Sequence, residues 1–334
     1  MKRIPSLDGL RAASIITVVF GHMAVNGHAP EIFKHVVFTG VQIFFVISGY
    51  LITSILLREY EHTSSINLRK FYIRRAYRIF PAALVFILVT VCVFWRDMRW
   101  YHILAALFYL SNYDLARPWV FGQLWSLGVE EQFYLIWPSV LKRWYKHRMA
   151  ILVSAMGLAP ASQMVFYFFK LHGNFTFFAR ADNLAFGCIL AIVAPRIPRI
   201  NKLWAVGMLV TLYGLGLFAG DTIPKTLVLF FVLRPILYVS MAGLVLHVVQ
   251  TPYRILNWAP VVWLGRISYS LYLWQQPFCG DPNLRSGYYV FLALGAAVLS
   301  YYLVEQPMLR LREKRKGHRQ ESSVVILEPS STAA

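Results

Sequence analysis

The 334-residue chain is 58% hydrophobic and only 14% charged, with a mean hydropathy of +0.53. A water-soluble domain carries about 25% charged residues, so the composition excludes one and leaves a chain whose surface largely faces lipid. The formal net charge of +18 would suit a nucleic-acid binder. Its distribution excludes that partner, because Lys and Arg cluster in short segments between long apolar runs.

The runs predict an all-α polytopic membrane protein with ten spans, since each span needs about 20 mostly apolar residues. In chain order they cover about 11–28, 36–57, 81–96, 123–141, 149–169, 176–194, 203–219, 226–249, 261–279 and 287–304. The first 25 residues resemble a signal peptide, but Arg11 and His22 interrupt the apolar stretch and no small-residue cleavage site follows. They are expected to remain as the first helix. The short apolar piece 102–115 reads as a half-helix or re-entrant segment, tolerable in a bilayer only where protein covers its backbone. With both termini cytoplasmic, inward segments hold 22 basic residues and outward segments 7. That bias follows the positive-inside rule, and the charge then serves orientation and contact with anionic lipid headgroups. Residues 1–307 form the expected membrane domain, and 308–334 a basic, disordered cytoplasmic tail.

Ionisable residues inside spans need a reason, each costing about 2.5–3.5 kcal/mol on insertion scales. Arg11 and His22 lie eleven residues apart in the first helix. That separation is about 1100° of rotation, so both fall within ~20° of one face, with a rise of roughly 16 Å. Arg11 is expected near the cytoplasmic surface and His22 towards mid-membrane. Between the second and third spans the chain reads LRKFYIRRAYRIFP; Arg75 and Arg78 are helix-face neighbours at i, i+3, with Arg74 preceding them. Four of the five basic residues in 69–78 are Arg, whose planar fork suits phosphate, so an anion site is the reading preferred over topological charge. Glu130 and Glu131 are expected to face a polar cavity or an Arg. Arg180 and Asp182, two apart, should find separate partners. For these four, a salt-bridge network fixing the helices competes with catalysis.

Phosphate-loop, zinc-protease and serine-hydrolase signatures are absent. The nine His show no metal-ligand spacing, and the three Cys show no pairing, so neither a metal nor a disulfide is expected. His22 is the one strong candidate for a general base.

These residues lie within ordered motifs: SLDGLRA (6–12) followed by Gly21–His22, FFVISGYLI (44–52), RRAYRIFP (74–81), WSLGVEEQFYLIWP (125–138), RADNLAFGCILA (180–191), LGRISYSLYLWQQP (264–277) and YYLVEQP (301–307). Their order and spacing over about 3–307 resemble the acyltransferase-3 family of membrane acyltransferases. The resemblance implies a ten-helix fold and O-acylation of a carbohydrate, glycolipid or small natural product in the bacterial inner membrane. It places an essential His on His22, an Arg on Arg11, the Arg-x-x-Arg motif on Arg75 and Arg78, and a Glu on Glu130. One departure is Gln275, where the family commonly has His.

The mechanism expected on this basis takes acyl-CoA, normally acetyl-CoA, as donor, with Arg74, Arg75 and Arg78 on its phosphates. His22 removes the acceptor proton, and Arg11 binds phosphate or the developing oxyanion. A covalent acyl-enzyme on His22 or a Ser such as Ser14 is the other route. The alternative from another class is a transporter or exporter of an anionic or glycosylated substrate, although no paired repeat is visible; a structural scaffold comes third.

Overall fold

The computed structural model describes residues 4–170, 175–219, 232–280 and 287–325. The described residues form twelve α-helices and no strand. They are α1 (Pro5–Val25), α2 (Ile32–Thr63), α3 (Leu68–Val93), α4 (Trp100–Leu107), α5 (Leu124–Arg143), α6 (Arg148–Phe168), α7 (Phe177–Val193), α8 (Lys202–Ala219), α9 (Arg234–Gln250), α10 (Ala259–Cys279), α11 (Tyr289–Ser300) and α12 (Gln306–Val325). Six helical segments are long and apolar enough to cross a membrane: Pro5–Val25, Ile32–Thr63, Leu68–Val93, Tyr145–Phe168, Phe177–Arg196 and Tyr289–Arg315.

Each of the ten expected spans overlaps one of the twelve α-helices, six of these overlaps falling in the segments long enough to cross, and the boundaries move in three places. The arginine segment is not a loop, because α3 begins at Leu68, where the Asn67 side chain accepts from the Lys70 amide at 2.9 Å. That N-cap carries the helix past Pro81, which lies inside it. α1 ends at Val25, and Gly27 at φ +77° turns the chain away. His22 therefore sits in the last turn of α1. Beyond α11 the helix continues through a wider turn, Tyr301–Glu305, into α12, so the basic stretch is helical as far as Val325. Expectations that fall on 226–231, Lys225, Arg285 and 326–334 lie outside the described residues.

The piece 102–115 forms α4 and a return anchored from beneath. Gln132 donates to the Tyr109 carbonyl and to Asn112 Oδ1, both at 2.8 Å, and His102 Nδ1 meets Asp114 Oδ2 at 2.6 Å. Polar side chains thereby cover the non-helical backbone, as a membrane interior requires.

At the centre stands α2, apolar on every face and packed by α1 on one side and α7 on the other. A helix hydrophobic all round belongs inside a bundle, and Phe45, Val46, Ile47 and Leu56 are fully buried. The α2–α7 contact is backbone on backbone. A Cβ at Gly49 would stand 2.2 Å from the Leu184 carbonyl oxygen, and one at Gly187 would stand 2.2 Å from that of Val46. Small residues at such crossings let helices meet where lipid supplies no hydrophobic drive. Conversely, Leu88 and Val93 of α3, Val210 of α8 and Phe291 of α11 are exposed, which places the apolar surplus on the outside.

Gly187→Ala forces the α2 backbone away and should cost about 1–3 kcal/mol, the usual overpacking penalty. Gly157→Ala, which meets no atom within 4 Å, should leave stability nearly unchanged. Thermal melting of the two detergent-solubilised variants checks the pair; equal midpoints would show that the crossing is loose.

Candidate active site

α3, α5 and α10, together with the first half of α1 and the middle of α2, enclose a cavity of about 80 Å³. Arg11, Arg75, Arg78, Ser48, Glu130, Tyr134, Ser126, Tyr269 and Tyr272 line it. The helical period explains the set. Glu130 and Tyr134 are one turn apart on α5, and the Tyr134 hydroxyl donates to Glu130 Oε1 at 2.8 Å. Ser48 of α2 donates to the same oxygen. Glu130 thus faces the cavity, while its neighbour Glu131 turns to α3 and stands 3.8 Å from Arg75 Nε.

The three arginines are not equivalent. Arg75 pairs with Glu131 and lays its guanidinium 3.4 Å above the centre of the Tyr134 ring. Arg11 meets Asp8, one turn earlier on α1, at 3.7 Å. Arg78 has no carboxylate within 4 Å among the described residues; it lines the cavity, and the Glu305 carboxylate acts on it from further away. Arg74 does not line the cavity, because one residue is 100° of helical rotation from Arg75.

His22 lies outside this cavity. Its Nδ1 meets Gln275 Oε1 of α10 at 2.8 Å. One turn further along both helices, Asn26 donates to the Cys279 carbonyl at 2.8 Å. The link between cavity and His22 is α10 itself: Tyr272 lines the cavity, shares a hydrogen bond with Ser126, and lies three residues before Gln275. The sequence put Arg11 and His22 on one stripe and Arg75 and Arg78 on one helix face; the structure brings Arg11, Arg75 and Arg78 to one cavity and leaves His22 outside it.

Other residues were not singled out from sequence. Glu305, 2% exposed, accepts from Ser270 at 3.2 Å at the end of the wide turn after α11. Such turns inside helices frequently mark functional sites. The rule that picked Glu130, an acid inside an apolar run, would also have found Glu305. Ser48, Tyr134, Tyr272 and Gln276 gave no signal beyond membership of the motifs.

Asp182 and Arg180 have separate partners, as spacing required. Asp182 Oδ2 pairs with Arg234 Nη2 at 3.0 Å, and Arg234 also bonds Gln163 and the Tyr238 hydroxyl. This network ties α6, α7 and α9 together. Arg180 lies 5.6 Å above the Trp125 ring and 5.7 Å above Phe175. Ser14 is buried and spends its hydroxyl on the Leu10 carbonyl of its own helix at 2.9 Å, away from the cavity. Among the described residues no three His, Cys, Asp or Glu side chains converge as a metal site, and Cys92, Cys188 and Cys279 are free.

A narrow charged cavity inside an apolar bundle, with a helix-borne histidine beyond it, defines a polytopic membrane protein built around an internal polar site. Sequence comparison makes the class specific. A family model described as an acyltransferase domain matches residues 4–304, and the chain belongs to the acyltransferase-3 family. It is 30% identical to the peptidoglycan O-acetyltransferase OatA of Listeria monocytogenes over 92% of this chain and 56% of that protein. With the O-acetyltransferase OatA of Staphylococcus aureus the identity is 31% over 97% of this chain and 61% of the relative. The chain thus spans little more than half the length of these relatives. No solved structure matches it.

Removing either member of a buried ion pair leaves a buried charge uncompensated. Arg75→Ala should therefore lower the melting temperature, and adding Glu131→Gln should recover much of the loss. Arg78→Ala should leave the melting temperature close to that of the parent chain. Rescue of Arg78→Ala, but not of Arg75→Ala, by Glu131→Gln would reverse the assignment.

Proposed function

We propose that this chain is a bacterial inner-membrane O-acyltransferase that moves an acetyl group from acetyl-CoA to a hydroxyl of a carbohydrate acceptor. Peptidoglycan is the acceptor printed in the name of the Listeria relative, which makes cell-wall glycan the first acceptor class to test. The observation that carries the reading is the cavity running from Arg78 and Arg11 to Tyr272, one turn below Gln275 and His22.

In this reading the domain covers 1–307, has ten spans with both termini cytoplasmic, and is followed by a basic tail, 308–334. The 22-to-7 distribution of basic residues supports that orientation. Arg78, which has no carboxylate within 4 Å among the described residues, holds a donor phosphate through charge-assisted hydrogen bonds, and Arg74 supplies charge at the entrance. Arg75 keeps the wall in shape through Glu131 and Tyr134. The cavity of about 80 Å³ has room for a handful of waters and takes the donor side in this reading. The acceptor meets His22 from the opposite end of α1.

There the His22 imidazole takes the proton of the acceptor hydroxyl as that oxygen attacks the thioester carbon. The carbon–sulfur bond breaks, and the leaving thiolate recovers the proton from the imidazolium. Transfer direct to the acceptor is favoured over a Ser14 acyl-enzyme, since Ser14 is buried against its own helix. Arg11 and Glu130 fix the electrostatics of the path below.

Acceptor-dependent CoA release by the protein in liposomes, with soluble peptidoglycan fragments as acceptor, tests the reading. His22→Ala should lose at least the roughly 10²–10⁴-fold that general-base catalysis contributes. Arg78→Ala should raise the KM for acetyl-CoA and leave that for the glycan unchanged. Substrate uptake into vesicles without release of free thiol would support a transporter instead.

A further inference from the structure

A neutral imidazole carries one proton, on Nδ1 or on Nε2, and only the bare nitrogen is a base. Which nitrogen is bare on His22 is decided by groups the proposed reaction has not yet used. The Trp119 backbone carbonyl can only accept, and Gln276 Nε2 donates to it at 3.1 Å. The same amide must then present Oε1 on its other side, where Gln275 Nε2 donates to it at 3.4 Å. Gln275 in turn presents Oε1 to His22 Nδ1 at 2.8 Å. An amide oxygen only accepts, so Nδ1 carries the hydrogen.

We propose that the Trp119 carbonyl, Gln276 and Gln275 form a one-directional hydrogen-bond chain that holds neutral His22 as the Nδ1–H tautomer and leaves Nε2 as the base. Gln275 and Gln276 are positioning residues. The catalytic consequence rests on His22 being the general base; the tautomer itself rests on the hydrogen bonds alone. Reversing the direction fails at every link. Flipping Gln275 sets its oxygen against Gln276 Oε1, and flipping Gln276 sets oxygen against the Trp119 carbonyl. Orientations of this kind are fixed by the network around them, and here the network ends on a group that cannot be reversed.

Burial keeps water from substituting for a link, with Gln275 0% and Gln276 8% exposed. The slot for the Gln276 amide is also built into the backbone. A Cβ at Gly122 would stand 3.1 Å from Gln276 Nε2, and one at Gly280 would stand 2.5 Å from it. Among the described residues Nε2 of His22 makes no hydrogen bond, as a nitrogen reserved for the acceptor requires.

The test is solid-state NMR of the full chain in lipid with ¹⁵N-labelled histidine, His22 being assigned by difference against His22→Gln. At a pH where the ring is neutral, His22 should give the Nδ1–H pattern; an Nε2–H pattern overturns the proposal without any functional variant. Gln275→Leu should mix the tautomers and lower kcat at least about 10-fold, within the roughly 10²–10⁴-fold that a general base supplies. The KM for acetyl-CoA should stay near its original value. Gln275→Glu, whose carboxylate only accepts, should keep the Nδ1–H tautomer; it loses the donor to Gln276 Oε1, so kcat should fall, but by less than in Gln275→Leu. Unchanged kcat in Gln275→Leu, or equal losses in both variants with the tautomer intact, would overturn the positioning role. Normal turnover in His22→Ala would instead remove the general-base reading and leave the tautomer result standing, so the two failures are distinguishable.

Discussion

The bundle depends on how closely α1 can lie against α10. A Cβ at Gly265 would stand 1.9 Å from the Asp8 carbonyl oxygen, and one at Gly9 would stand 2.2 Å from that of Leu256. Only with both side chains missing do the backbones touch, and this contact fixes the relative register of the two helices at their base. The same register brings Ser6 to Asn257 at 2.8 Å at one end and His22 to Gln275 and Asn26 to Cys279 at the other. A slip of one residue would rotate either helix by 100° and carry His22 away from Gln275. The packing of two glycines near one end thus sets the chemistry of a histidine near the other.

In an apolar bundle the charges are the second constraint. Each intramembrane charge costs about 2.5–3.5 kcal/mol even on insertion scales, and most of those described here meet an opposite charge. Arg234 answers Asp182, Arg75 answers Glu131, and Arg11 answers Asp8. These pairs fasten α7 to α9 and α3 to α5, and brace the first turns of α1. Arg78 lines the cavity with no carboxylate within 4 Å among the described residues, and Glu305 acts on it from further away. That freedom from a close ion pair is why the proposed donor phosphate is assigned to Arg78 and not to its neighbour Arg75, which Glu131 already engages.

Much of this was legible in the sequence, and what was not has a common physical origin. Apolar run length gave the helices, because each must satisfy its own backbone. The i, i+3 spacing placed Arg75 and Arg78 on one face, and the burial of acids in apolar runs predicted that Glu130 and Glu131 would find a cavity and an Arg. The start of α3 was missed because Pro81 was read as a beginning, although Asn67 carried a usable cap signal. The end of α1 at Val25, three residues before the expected 28, carries no apolar signal; Gly27 marks it through its positive φ. The pairing of Gln275 with His22, 253 residues apart, and the division of labour among Arg11, Arg75 and Arg78 depend on helix register. No local pattern encodes that.

Gln275 is the point at which this chain departs from the family pattern, and the geometry gives the departure a meaning. A histidine there could pass a proton to or from His22. A glutamine can only hold one. Acid–base work in the proposed reaction then falls to a single imidazole at the end of α1, about 16 Å of helical rise from Arg11. In the proposed reaction the slender part of the donor enters from the Arg78 side, and the acceptor reaches Nε2 from the other. If the proton is held on Nδ1 as proposed, by a carbonyl that cannot turn, the base faces the acceptor whether or not a donor is present, and the proposed reaction is timed by the arrival of the thioester alone.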